Sequence, residues 1–292
     1  MLQSSLKKIT ALAIIAVLAI TLGTTAFAFG TNNYTQTTAI SLGRWSPTMN
    51  VPTTELPDGI NEAYYSFTAS AGDRFYIRMG SAESTASGMR LQLRSLTGAL
   101  ETDTGIVNRG GLLPFRFVSY VVPTGTPANT TFIIRIYRES SAVVGDRIFT
   151  PTFYNLFANG SDTFPFSGTA TNTGNTGMDM VNGKNSTELT LNLTNNANIP
   201  VGAKVRSVTT RSTMTPSQGN VRHHIANAGV WHVSTVSSAT SGSYNITIAN
   251  DYNARAIWTF RYNVLALAPS TMSNVSITIN YEYNVTSSFV AT

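Results

Sequence analysis

The sequence predicts an all-β protein, made of two antiparallel, jelly-roll-like β-sandwich domains behind a cleaved signal peptide. Three observations carry this. Apolar and polar residues alternate along most of the chain; beyond the leader, apolar residues recur nowhere at i, i+3, i+4, i+7 over three turns; and cysteine is absent, with only three histidines in 292 residues. A period of two places one parity on a buried strand face and the other in water, whereas a helix needs a period near 3.6.

The leader comes first. Lys7 and Lys8 precede an apolar run from Ala11 to Gly23, and Ala26-Phe27-Ala28 offers a small-x-small cleavage site. That order is a secretory signal peptide, removed after Ala28. The alternative is an uncleaved N-terminal anchor, but the run falls short of the roughly 20 apolar residues a membrane span needs. No second run of spanning length follows, so no transmembrane segment is expected in the mature chain. An exported chain without cysteine fits a Gram-positive bacterium and relies on its core rather than on disulfides.

The strands follow in two groups. In the first half they are expected at 63–68, 74–79, 89–95, 115–122 and 131–138. In the second half they are expected at 187–194, 203–210, 220–226, 230–237, 243–249, 256–265 and 274–285. The last is the most regular: Val275, Ile277, Ile279, Tyr281, Tyr283 and Val285 alternate with Ser276, Thr278, Asn280, Glu282 and Asn284. Residues 158–177, dense in Gly, Asn, Ser and Thr, read as loop and linker. The expected organisation is therefore a signal peptide over 1–28, one sandwich over 29–158 and another over 159–292. A single large barrel is the alternative.

Charge narrows the partners. The formal net charge is +5, and only 11% of residues are charged. The basic residues are scattered rather than gathered into a stripe that could follow a phosphate backbone, so no nucleic-acid partner is expected. Solvated faces rich in Thr, Ser and Asn suit an extracellular protein.

Catalytic motifs are missing from the sequence. There is no Gly-x-Ser-x-Gly elbow, no His-Glu-x-x-His and no phosphate-binding glycine loop. No catalytic residue and no cofactor is expected. Carboxylate pairs on distant strands keep an extracellular carbohydrate hydrolase open as an alternative, although many of the 14 acidic residues stand beside turns, among them Asp58, Asp73, Asp146, Asp162 and Asp251.

One local constellation remains, Val221 to Val233. Asn227-Ala228-Gly229 reads as a three-residue hairpin loop, which sets Ala226 opposite Val230, Ile225 opposite Trp231 and His224 opposite His232. Two imidazoles roughly 5 Å apart at Cβ could share a metal ion, so His224 and His232 are the metal candidates. They lack a local third ligand, since no Asp, Glu or Cys lies between 189 and 250, and a surface His pair beside a core Trp is the plainer expectation. Trp45, beside Pro47, is the tryptophan expected to be exposed and able to stack on a sugar. Trp231 and Trp258 lie in strong strand patterns that read as core, with Trp231 the second ligand-binding candidate.

Residues 39–79 carry a resemblance. Ala39-Ile40-Ser41-Leu42-Gly43, then Glu62-Ala63-Tyr64-Tyr65-Ser66-Phe67-Thr68-Ala69-Ser70-Ala71-Gly72-Asp73-Arg74-Phe75, resemble the bacterial pre-peptidase C-terminal domain family over roughly residues 35–155. The resemblance implies a small accessory β-sandwich of the kind appended to secreted peptidases, without protease activity of its own. Ala63 stands where the family often has an acidic residue, which speaks against a cation site there. The second half is loosely similar to accessory jelly-roll domains of secreted proteases. The function expected is that of a secreted, non-catalytic accessory protein binding a cell-surface protein or glycan. Self-association by strand addition, with Phe29-Gly30-Thr31-Asn32-Asn33 as donor, is a further alternative.

Overall fold

The computed structural model describes residues 32–81, 88–103, 106–107, 115–140, 144–235, 241–248 and 252–289. The leader, residues 29–31 of the expected donor segment and Asp251 lie outside them. Nearly all of the described chain that is regular is strand; the exceptions are 3-10 turns at Gln36–Thr38 and Val285–Ser288. No helix among the described residues is long and apolar enough to cross a membrane. The chain divides into two compact units, one running to Tyr154 and the other from Asn155 to Val290.

The first unit contains β1 (Ile40–Arg44), β2 (Thr54–Leu56), β3 (Glu62–Ala69), β4 (Arg74–Ser81), β5 (Met89–Ser95), β6 (Leu100–Asp103), β7 (Ile106–Val107), β8 (Phe115–Val121), β9 (Thr130–Arg138) and β10 (Arg147–Asn155). They form two sheets, ordered β1-β3-β9-β5-β6 and β2-β10-β4-β8-β7. Alternation in β3 and β4 turns Ala63, Tyr65 and Phe67 of one sheet, and Phe75, Ile77 and Met79 of the other, into one buried cluster. The Ser70-Ala71-Gly72-Asp73 turn does not close a hairpin. β3 and β4 belong to different sheets, so the turn is a corner of the sandwich. Gly72 takes φ +83 there, a backbone that L side chains rarely adopt. One pair, β1 with β3, is parallel.

Arg138, at the end of β9, is a buried charge of this unit, as is Arg116 of β8. The Arg138 guanidinium donates to the carbonyls of Leu56, Pro57, Ile60 and Gly145 at 2.7–3.0 Å. The two loops that supply these carbonyls are also tied by Asp58 and Asp146, each carboxylate accepting a backbone N–H from the other loop.

The second unit contains β11 (Phe157–Pro165), β12 (Ala170–Asn172), β13 (Lys184–Asn185), β14 (Leu189–Asn192), β15 (Lys204–Thr215), β16 (Val221–Asn227), β17 (Val230–Val233), β18 (Ser241–Ile246), β19 (Ile257–Val264) and β20 (Ser270–Asn284). One sheet runs β11-β20-β15-β18, with β12 also on β20. The other runs β13-β19-β16-β17, with β14 also on β19. Ile277, Ile279 and Tyr281 of β20 are buried as the alternation requires, and they share a core with Val205, Val208, Ile225, Trp258 and Phe260.

β11 overturns the linker reading of 158–177. Despite its Ala-Asn-Gly-Ser-Asp-Thr composition, it pairs with β20 without a break from Phe157↔Asn284 to Pro165↔Ser276. Its low intrinsic strand preference is overridden by a regular partner, which is the context dependence expected of sheets. Gly160 lies opposite Tyr281, and a Cβ there would stand 2.4 Å from the Tyr281 ring. The ring therefore packs on bare backbone, and its hydroxyl donates to Asp162 Oδ2 at 2.6 Å.

Candidate functional site

The hairpin of β16 and β17 decides where the histidines and Trp231 go. Its loop has two residues, Ala228 (φ +51) and Gly229 (φ +81), closed by the Asn227↔Val230 pair. Two successive positive φ values are the signature of the tight turn whose twist matches a hairpin. The three-residue loop expected from Asn-Ala-Gly is thus corrected, and the register moves by one residue. His224 faces Val233, Ile225 faces His232 and Ala226 faces Trp231. Because faces alternate along a strand, a shift of one sends partners to opposite sides of the sheet. His224 and His232 do not face each other, and the metal pair is not formed. No group of three or more metal-ligating side chains occurs among the described residues.

The inner face takes His223. It is fully buried, stacked on Tyr244 with ring centroids 3.7 Å apart. Its Nδ1 lies 2.7 Å from the Thr210 hydroxyl and its Nε2 lies 3.3 Å from that of Ser212. Ser212 donates to Met272 Sδ, which leaves its oxygen to accept from Nε2–H and Nδ1 to accept from Thr210. Burial, followed by the neighbouring His224, pushes the His223 pKa down to about 3. His223 is a neutral core residue with both nitrogens occupied. His232 also turns inward, edge-on to Tyr252 at 5.1 Å, and burial lowers its pKa.

The outer face takes Trp231, whose pattern read as core. Opposite it stands the small Ala226, and the Arg261 guanidinium of β19 lies 3.9 Å from the centre of its ring. Such a cation over an indole is attracted by the ring quadrupole. His224, the register partner of Arg261, lies 6.3 Å from Trp231. Burial, then the charges of Arg261 and Arg222, push the His224 pKa down to about 4. Neither of its ring nitrogens has a hydrogen-bond partner. Glu188 reaches Arg261 at 3.3 Å, while Ile257 and Val233 stand about half exposed on the same face. The arrangement is an aromatic-cation stack beside an unpaired neutral imidazole, with apolar residues at its rim.

Comparison with known proteins places the chain. No family model matches it. It is 37% identical over 262 residues to the uncharacterized protein YbdN of Bacillus subtilis (strain 168), an alignment spanning 89% of each chain. The chain belongs to the YbdN family. Among solved structures with similarity to this family member are the pre-peptidase C-terminal domain of collagenase from Bacillus anthracis and a candidate secreted protein from Eubacterium rectale. The first is 13% identical, covers 39% of this chain and 93% of that one, and has a TM-score of 0.29. The second is 10% identical, covers 90% and 85% respectively, and has a TM-score of 0.34. The family that residues 35–155 resemble is therefore among the structural neighbours.

The remaining candidates fall elsewhere. Trp258 is core. Trp45 is half-buried rather than projecting. Its ring sits 5.4 Å from Phe75, and it hydrogen-bonds Asp73, which also meets Arg44 at 2.5 Å. Burial alone would raise the Asp73 pKa; the bonds from Trp45, the Ser70 N–H and Arg44 outweigh it and hold the carboxyl below its usual range. Trp45 thus ties the end of β1 to the corner turn. Several carboxylates are engaged in ion pairs rather than turns alone, among them Glu62 with Arg135, Glu139 with Arg116 and Glu282 with Arg206.

Proposed function

We propose that this is an exported, non-catalytic binding protein that holds a protein or glycan partner at the bacterial cell surface. Its contact surface is the outer face of β19, β16 and β17. The observation that carries this reading is the Trp231–Arg261 stack beside His224, whose two nitrogens are shielded from water and unpaired. Buried polar atoms without partners cost about 1–3 kcal/mol each, and each such atom in a folded protein calls for an explanation. A ligand that supplies a donor or an acceptor removes that cost on binding. Trp and Arg are also the residues that dominate binding energy where they cluster, and the half-exposed Ile257 and Val233 give an apolar rim that excludes water once a partner covers it. The leader, read from sequence, supports export.

The test is binding of the full chain to isolated cell walls and to surface-protein fractions, compared with Trp231→Ala. Loss of an anchor of ~2 kcal/mol corresponds to roughly 30-fold weaker binding. Equal binding by both proteins, or robust hydrolysis of wall glycan by the full chain, would replace this reading.

A further inference from the structure

The outward face of the β11-β20-β15-β18 sheet is unlike the Trp231 face. Its rows are amides and hydroxyls bonded across strands. The Thr163 and Thr278 hydroxyls lie 2.8 Å apart, Asn280 Nδ2 donates to Ser207 Oγ at 2.8 Å, and the Thr209 hydroxyl donates to Asn245 Oδ1 at 3.0 Å. An Asn amide has four hydrogen-bonding positions, so Asn280 and Asn245 keep capacity beyond these bonds. An irregularity in β15 between Val205 and Ser207 places Arg206 out of the regular alternation, beside Glu282. The charge of this face is one-sided: Lys204, Arg206 and Arg211 against Glu282.

Two hollows open on it. One, of 440 Å³, lies over β15 and β18; the other, of 360 Å³, lies over β11 and β20. They share Arg206 and Asn280. With strands about 4.8 Å apart, the two are separated by roughly two strand spacings, a length that a short oligosaccharide covers. The only ring at either hollow is that of Tyr281, which is buried, so the aromatic anchors of a protein interface are lacking. Each hollow spans an edge strand and its inner neighbour, β18 with β15 and β11 with β20. Desolvating this many amides and hydroxyls is favourable only against a ligand equally dense in donors and acceptors. The Arg206 guanidinium meets Glu282 through Nη2, and its other N–H groups, in a field with more basic than acidic residues, add a preference for carboxylate.

We propose that this face is a second binding site, for a carboxylate-bearing oligosaccharide lying across the strands with Arg206 and Asn280 at its centre. The site stands apart from the Trp231 surface and does not depend on it. The experiment is a nuclear magnetic resonance titration of the full chain with tetragalacturonate, galactotetraose and hexaglutamate, each repeated on Arg206→Gln, Asn280→Ala and Trp231→Ala. The expected result is shifts confined to 159–161, 206–209, 245–247 and 280 with tetragalacturonate, with binding at least fivefold weaker for galactotetraose. Arg206→Gln and Asn280→Ala each weaken tetragalacturonate at least fivefold with melting temperatures unchanged, and Trp231→Ala does not affect it. Unshifted resonances at millimolar tetragalacturonate, equal binding of hexaglutamate, or loss of binding only in Trp231→Ala would overturn the proposal.

Discussion

Acid should unfold the second unit through His223. The unfolded chain protonates this imidazole near 6.5, whereas the folded protein holds it neutral down to about 3. Between those values the unfolded state binds more protons, so stability rises with pH and is lost as pH falls. At 1.36 kcal/mol per pH unit, keeping the ring neutral from 6.5 down to pH 4 corresponds to ~3 kcal/mol, a large share of the roughly 5–15 kcal/mol a domain has in total. Carboxylates and His224 titrate over part of the same range, so the variant His223→Phe isolates the term. Phe keeps the stack on Tyr244 and the edge contact with Phe260 but carries no proton. It leaves the Thr210 hydroxyl without its partner, a constant offset that does not change with pH. Thermal and urea unfolding of both proteins between pH 7 and pH 4 should show the wild type losing ~3 kcal/mol more than the variant. Parallel pH profiles would refute the reasoning, as would an NMR titration placing the His223 ring near its ordinary value.

Four further outcomes are expected. Ile279→Ala, at a fully buried site flanked by strands on both sides, should cost about 2–5 kcal/mol in the second unit. Thr278→Ala, outward and bonded only to Thr163 and its ladder, should cost about 1 kcal/mol or less; equal losses by calorimetry would show the register to be wrong. Arg138→Met should destabilise the first unit by about 3 kcal/mol or more, because several carbonyls lose their donor together, and should leave the second transition in place. Ala228→Gly should raise the melting temperature slightly, since relief of a left-handed alanine, about 1–2 kcal/mol, exceeds the entropic penalty of glycine; a lower melting temperature would mean the loop is not the two-residue turn.

The fold was legible where a strand alternates strongly, and the site was not, for one local reason. β20 announces itself because both parities are consistent over many residues. β11 does not, since Asn, Gly, Ser and Asp are the residues of turns, and only the presence of β20 makes them a ladder. At the hairpin, Gly229 was readable as a positive-φ residue but Ala228 was not. Counting one such position instead of two gave a loop one residue too long. That single residue brought His224 and His232 together on paper and put Trp231 in the core. A run with alanine before glycine carries little signal for the turn it makes, whereas Asn-Gly at the same place would have declared it.

The ladder of β11 also determines how the two halves can be separated. A fragment beginning at Asn159 would lack Phe157 and Ala158, the partners of Asn284 and Tyr283, and would leave the Val285 N–H without the Leu156 carbonyl that receives it. The last residues of β20 would then be an open edge, the kind of surface that captures strands from other molecules. A fragment beginning at Asn155 keeps all three contacts. A cut made four codons earlier thus keeps the end of β20 paired, where the later one leaves it open.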